Sequence, residues 1–242
     1  MTRGRAGPTF DSDALVLRRV EYGEADLILT LFTRDHGRVS ALARGARKSQ
    51  RRFAGAFEPF FTIRVRWHER PGTELLTLVH AELARTRIAL LSDLNRMDLA
   101  GRALAWIRAA APARSAEPEV FDRMERLLDT LSDPNRGPPE LELAQTGIWL
   151  LGALGWGLDF ERCVRCGTPC PAARSASLDV EAGGLICSAC GGARLRLNAE
   201  QRRRFARAAS GDADSLTRED TTTALALIER VLTAHAGIDG SG

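Results

Sequence analysis

Among the cationic residues of this 242-residue chain Lys48 is the only lysine, so arginine is the default cation and single arginines carry little information. Aromatic residues amount to 6% of the chain, a thin supply for stacking on planar ligands. The four histidines, His36, His68, His80 and His235, are scattered over separate segments. No Gly-x-x-x-x-Gly-Lys loop is present, and no motif pairs a nucleophile with a base. His68-Glu69 is not followed by a histidine at position 72, so the metalloprotease motif fails as well. A non-enzyme is expected. The N-terminal MTRGRAGPTFDSD holds no apolar stretch before a cleavage site, and the longest uncharged apolar-rich stretch, Ala144 to Leu158, is too short and too glycine-rich to span a bilayer. A cytoplasmic protein without membrane attachment is expected. The 44% hydrophobic content excludes a disordered composition.

What the chain does have is two cysteine knuckles, Cys163-Val-Arg-Cys166-Gly and Cys187-Ser-Ala-Cys190-Gly, with 20 residues between Cys166 and Cys187. A C-x2-C pair followed by glycine turns the chain tightly enough to aim both sulfurs at one point. Two such pairs complete a tetrahedral thiolate shell for one Zn2+. Four thiolates leave no position for a substrate water, so the site reads as structural. Two disulfides, an iron-sulfur cluster and a thiol redox pair stay open as alternatives. Cys170, the fifth cysteine, falls outside both knuckles.

The formal net charge is only +3, but residues 1–70 carry 14 Arg/Lys against 8 Asp/Glu. Within that third, Arg34, Arg38, Arg44, Arg47, Lys48, Arg51 and Arg52 are opposed only by Asp35 along residues 34–52, which suits a phosphate-binding stripe. A second basic run, Arg202, Arg203, Arg204 and Arg207, opens a helix. Adjacent helical residues cannot all face one side, so this run reads as a solvated face.

From Ala14 to about Glu82 the sequence alternates or forms short β-rich runs: ALVLRRV, DLILTLFT, GRVSALAR, FEPFFTIRVRW and ELLTLVHAEL. Turn-type breaks separate them at Tyr22-Gly23-Glu24, Asp35-His36-Gly37, Gly45 to Gly55 and Arg70-Pro71-Gly72. Five evenly spaced strands suggest a small barrel of the OB type, with the cationic loop GARKSQRR between the third and fourth. Phe53, Phe57, Phe60, Phe61 and Trp67 offer candidate stacking platforms, although alternation places about half of them in the core. After Glu82 the period becomes helical. Leu94, Met97, Gly101, Leu104 and Ala105 follow one face, and Val120, Phe121, Met124, Leu127, Leu128 and Leu131 follow another more cleanly. ELELAQTGIWLLGALG is apolar nearly all round and reads as the central helix of a bundle, ended by Gly155 to Gly157. The insert SLDVEAGGLI resembles two short strands about Gly183-Gly184, a zinc-ribbon-like arrangement. Asn198-Ala-Glu-Gln201 and Thr217-Arg-Glu-Asp220 read as helix starts, with Gly237 ending the last helix. The expected architecture is therefore α+β multidomain: an OB-fold β-barrel at 1–82, an α-helical domain at 83–160 and 195–242, and an inserted four-cysteine zinc-binding module, zinc-ribbon-like, at 161–194.

That order coincides with specific residues. ALVLRRVEYGEADLILTLFTRDHGRVSALARGARKS resembles the N-terminus of the recombination mediator family RecO, with its Gly-Glu after strand one, its Thr-Arg-x-x-Gly-Arg turn and its Ala-Arg-Gly-Ala-Arg-Lys-Ser end. Independently, the run Ile148 to Gly155 followed by Cys163-x-x-Cys166-Gly and Gly183-Gly-Leu-x-Cys187-x-x-Cys190 is similar to that family's C-terminal region. The resemblance spans about residues 13–236. It implies an OB-fold domain, a helical domain and a zinc element without a catalytic centre. It also implies binding to single- and double-stranded DNA, strand annealing, association with RecR, and contact with single-strand-binding protein during RecA loading in DNA repair. Carried over by position, the seven cations from Arg34 to Arg52 face DNA, and Cys163, Cys166, Cys187 and Cys190 hold the zinc. Cys170 has no role in the pattern. Two other classes compete. A zinc-ribbon adaptor would bind protein alone, and DNA binding without partners separates it from the mediator. A zinc nucleobase deaminase would use His80-Ala-Glu82 with Cys187-Ser-Ala-Cys190. It lacks the proline before the first cysteine, separates its halves by about 105 residues, and leaves Cys163 and Cys166 unexplained.

Overall fold

The computed structural model describes residues 8–49, 51–53, 55–69 and 72–236. The turn expected at Arg70-Pro71 and the helix end expected at Gly237 lie outside them. The chain divides into two compact units, residues 1–134 and 135–242, so the helices of residues 94–132 belong with the barrel rather than with the C-terminal helices.

In the first unit the alternating segments form β1 (Thr9–Tyr22), β2 (Asp26–Thr33), β3 (Gly37–Ala43), β4 (Thr62–His68) and β5 (Leu76–Arg85). They close into a barrel of order β1-β2-β3-β5-β4, in which β3 and β5 run parallel and every other pairing is antiparallel. This is the OB topology. Period two delivers every second side chain inward, and Leu29, Leu31, Val39, Ala41, Ile63, Val65 and Leu78 meet there. The register shifts between Val16 and Arg18, so Val16 faces the core opposite Leu31 while Arg18, opposite Thr30, faces out. Phe53, Phe57 and Trp67 join this core, and Phe60 and Phe61 are also buried. None of the five stacking candidates is available to a base. The β2–β3 turn needs its glycine: Gly37 has φ +65°, and a Cβ there would stand 1.9 Å from the Ser115 carbonyl oxygen.

Two helices lie against the barrel, α1 (Leu94–Ala110) and α2 (Pro118–Ser132). The face of α2 read from the sequence is the buried one, from Val120 to Leu131. The face expected for α1 is only partly so. Leu104 is buried and Met97, Gly101 and Ala105 are partly covered, but Leu94 is 84% exposed, and most of the buried face is made by Leu99, Ala100, Ala103, Trp106, Ile107 and Ala110. In a stretch so rich in alanine, apolar spacing leaves the rotation of the helix undetermined, and packing decides it. Phe32 of β2 meets Phe121 of α2, with ring centroids 5.9 Å apart. Arg96 of α1 donates to the Leu131 and Asp133 carbonyls at the C-terminus of α2, satisfying acceptors the helix itself cannot.

The second unit is built on α3 (Pro139–Ala153), which buries Leu143 to Ile148, Leu150 and Leu151 against α4 (Ala199–Ala209) and α5 (Thr221–Ala236). Its role as the central helix follows from its being apolar nearly all round. Both helix starts read from the sequence are capping boxes, at Asn198 with Gln201 and at Thr217 with Asp220. The basic run on α4, expected to be a solvated face, is mostly structural. Arg202 is 3% exposed, Arg204 forks onto buried Asp220 at 2.6 and 2.9 Å, and Arg207 pairs with Asp212. Among the described residues Arg203 alone of the four is exposed without such a partner.

These pairs set an acid limit. Burial pushes the Asp220 carboxyl up, but Arg204 and the Thr217 N–H and hydroxyl outweigh it, so the group sits below its ordinary value of 3.8. Asp122, hydrogen-bonded by Arg34, is lowered too. A carboxylate lowered by folding stabilises above its unfolded value, and that contribution is lost as pH falls through the folded value. Melting temperature is therefore expected to fall below about pH 4. Asp220→Asn, less stable at neutral pH, is expected to show a flatter acid slope, which thermal melts between about pH 3 and 7 will check.

Candidate metal centre and nucleic-acid interface

Between α3 and α4 the chain forms a small sheet of β6 (Asp159–Cys163), β7 (Ala176–Asp179), β8 (Gly184–Ile186) and β9 (Leu195–Leu197), ordered β6-β8-β7-β9. β7 and β8 are the hairpin read around Gly183-Gly184. Gly184 lies so close to β6 that a Cβ would stand 2.7 Å from the Asp159 carbonyl oxygen. Each knuckle is closed by backbone hydrogen bonds, Gly167 N–H to Cys163 O at 2.8 Å and Cys190 N–H to Cys187 O at 3.0 Å. The four Sγ atoms of Cys163, Cys166, Cys187 and Cys190 all lie within 4.8 Å of one another, and those of Cys166 and Cys187 are 3.7 Å apart. A tetrahedral ion with metal–sulfur bonds of about 2.3 Å requires sulfurs about 3.8 Å apart. The set can hold a metal ion.

Its protonation is uneven. The Cys187 N–H reaches the Cys163 sulfur at 3.3 Å and lowers that thiol to about 6 against the opposing effect of burial. Cys166, beside the Thr168 hydroxyl, is lowered as well. Hydrogen bonds with Cys187 and Cys166 push Cys190 up to about 12. Thiols this close cannot all carry charge without a cation among them, and a divalent ion removes the conflict by taking every sulfur as thiolate. Cys170 stands outside this set, with its Sγ 3.9 Å from the Pro171 carbonyl oxygen. Its carbonyl has a task, however. The buried Arg202 guanidinium donates to the carbonyls of Phe160, Cys170 and Pro171 at 3.0, 3.2 and 2.6 Å, tying α4 to the segment around the first knuckle.

The seven cations of the N-terminal stripe divide into two groups. Arg34 forks onto Asp122 of α2 at 2.9 and 3.0 Å, and Arg38 donates to the Ala111 carbonyl beyond α1 at 3.0 Å. Both fasten helices to the barrel. Arg44, Arg47, Lys48, Arg51 and Arg52 are exposed on the β3–β4 loop. Arg47 pairs with Glu21 at 3.1 Å, and Arg52 lies over the Phe53 ring and donates to the Arg44 carbonyl at 2.7 Å. Among the described residues no carboxylate pairs with Arg44, Lys48 or Arg51. The loop is anchored by Asp26, which accepts from Gly45 N–H at 2.7 Å, and by the Ala25 carbonyl, which accepts from Arg47 N–H at 3.0 Å. His80 and Glu82, the deaminase candidates, share one face of β5 with Nε2 and Oε2 3.6 Å apart, while the knuckle sulfurs complete a set of their own.

A closed OB barrel carrying a cationic loop, followed in the chain by a helical unit with a four-cysteine set able to hold a metal ion, defines an OB-fold protein with a candidate metal centre. Comparison with known proteins makes this specific. The family model Recombination protein O N terminal matches residues 8–87, and Recombination protein O C terminal matches residues 91–240. The chain belongs to the RecO family of DNA repair proteins. It is similar to the DNA repair protein RecO of Anaeromyxobacter sp. strain K, 38% identical over 176 residues that cover 73% of this chain and 68% of that protein. It is also similar to the RecO of Myxococcus xanthus, at 37% over 75% of this chain and 72% of the relative. The RecO of Geobacter sulfurreducens is 36% identical over 78% of this chain and 75% of the relative. No helix among the described residues is long and apolar enough to cross a membrane.

Proposed function

We propose that this chain is a recombination mediator that binds single- and double-stranded DNA and anneals complementary strands. With RecR it helps load RecA onto strands coated by single-strand-binding protein, in the cytoplasm at the nucleoid. The observation that carries this reading is the β3–β4 loop, where five exposed cations stand together at one end of an OB barrel. Two phosphate lines approach each other only when their repulsion is screened, and a cluster of guanidinium groups does this without regard to sequence. Arg34 and Arg38, already held by Asp122 and the Ala111 carbonyl, contribute less than the other five. The ion in the thiolate set is Zn2+, one per chain, closed to substrate and serving as scaffold.

Replacing Arg44, Arg47, Lys48, Arg51 and Arg52 together by alanine tests the reading. Affinity for single strands and duplexes is expected to fall regardless of sequence, with the slope of log K against log salt shallower by up to about 3.5 for single strands. Melting temperature should hardly change, because exposed loop charges contribute little to stability. Annealing of bare strands and of strands coated by single-strand-binding protein should slow in parallel and need no ATP. An unchanged salt slope would rule out this loop as the DNA interface.

A further inference from the structure

We propose that the cavity between β6 and α4 is an anion site that takes a phosphate monoester. It lies within the second unit, has a volume of about 260 Å³, and is walled by β6, the segment after the first knuckle and α4. Three guanidinium groups line it, those of Arg162, Arg202 and Arg203, beside the apolar Phe160, Ala172 and Ala206. The helical repeat brings the α4 residues together, since Ala206 stands three residues from Arg203 and four from Arg202.

Arg202 carries the argument. It is 3% exposed, and a cation so far out of water ordinarily meets an opposite charge. Here the guanidinium meets three carbonyl oxygens, of Phe160, Cys170 and Pro171, and its Nε is buried with no acceptor among the described residues. Its neighbours deepen the deficit. Arg162 and Arg203 are exposed, and among the described residues no carboxylate pairs with either. The surrounding acids are committed elsewhere. Glu200 and Asp220 hold Arg204, Asp212 holds Arg207, and Asp159 accepts from the Glu161 and Arg162 N–H groups at 2.7 and 2.8 Å. Glu161 is the one carboxylate on the rim, exposed and in no ion pair among the described residues. Three cations against one carboxylate leave two positive charges unbalanced around the cavity.

That surplus selects the ligand. A phosphate monoester carries about −1.5 to −2 at neutral pH and offers three oxygens to planar guanidinium forks. A carboxylate brings one negative charge, and so does each phosphodiester of a continuous strand. The monoester is available from two sources, a free nucleotide and the phosphorylated end of a strand, which share this chemistry.

Calorimetric titration of the full chain at matched ionic strength tests the site, with inorganic phosphate, thymidine 5′-monophosphate and acetate as probes. Both phosphates are expected to bind wild type and the five-alanine loop variant alike, and to bind Arg162→Ala and Arg203→Ala roughly tenfold more weakly, while the ligand-free melting temperatures of these two variants stay at the wild-type value. Arg202→Met also removes the tie to three carbonyls and is expected to melt lower, so the two exposed arginines carry the test. Wild type that binds neither phosphate would overturn the proposal. So would acetate bound as tightly as phosphate, or phosphate binding that disappears in the loop variant and persists in Arg162→Ala and Arg203→Ala. A 5′-phosphorylated single strand that binds the loop variant more tightly than its 5′-hydroxyl counterpart would identify a strand end as the source. Equal binding of the two strands, with the mononucleotide still bound, would identify the free ester.

Discussion

Cys163→Ser is expected to leave the protein without its metal and to lower its melting temperature by about 10 °C or more. Cys163 is the buried member of the thiolate set, and its sulfur also accepts the Cys187 N–H, so both knuckles depend on it. The ribbon sheet is small: β7 has four residues, and β8 and β9 have three each. Strands this short bury too little surface to hold themselves together. Metal binding supplies the difference, on the order of 10 kcal/mol for a closed zinc site at neutral pH. Even if only a third of that reached the unfolding equilibrium, a chain of this size would melt about 10 °C lower, at about 2–4 °C per kcal/mol. Metal analysis of purified protein should find about one zinc per chain in wild type and in Cys170→Ser, whose changed sulfur lies outside the set, and none in Cys163→Ser. A wild-type protein without zinc, or a Cys170→Ser variant damaged more than Cys163→Ser, would refute the closed-site reading.

The knuckles were legible in the sequence because their geometry is local: two residues between sulfurs and a glycine after them fix the turn whatever surrounds it. The barrel strands were legible for a related reason, since period two states which side chains go inward without naming the strand opposite. Cations were harder to read. Arg34 and Arg38 look like part of one stripe, but their partners, Asp122 and the Ala111 carbonyl, lie far along the chain. A charge count over residues 34–52 cannot see them. The same blindness made Arg202 and Arg204 look solvated when one holds three carbonyls and the other a buried carboxylate. For aromatics, alternation assigned about half of Phe53, Phe57, Phe60, Phe61 and Trp67 to the core, and the structure puts all five inside. Tyr22, placed in a turn by its Gly-Glu neighbours, ends a strand of 14 residues and faces out. A register shift within β1 decides that, and no local composition announces it.

Arg87 illustrates the same lesson at the largest energetic scale within the first unit. It follows β5 in a segment with no notable motif, yet it is 2% exposed and its guanidinium serves four groups. Nε donates to Asp129 at 2.8 Å and Nη2 to Glu125 at 2.9 Å, both on α2, while Nη1 donates to the Phe60 carbonyl at 2.8 Å and the Thr62 hydroxyl at 3.0 Å beside β4. One planar fork thus joins barrel to helix, which a lysine, with a single point charge, cannot reproduce. Arg87→Ala is expected to cost about 3–5 kcal/mol, because the acceptors stay where they are and lose their compensating charge. Their losses differ. Asp129, 40% exposed, keeps its ion pair with Arg85, but Glu125 is 17% exposed and keeps only Thr62 and a 3.9 Å approach of Arg85. Glu125 is therefore where most of the cost should fall. Adding Glu125→Gln to Arg87→Met removes the stranded charge and should recover part of the loss, so the double variant is expected to melt above Arg87→Met alone. Thermal melts of these variants decide the matter: an Arg87→Ala loss within about 1 kcal/mol of wild type, or a double variant less stable than Arg87→Met, would mean that this fork is not what fastens α2 to the barrel.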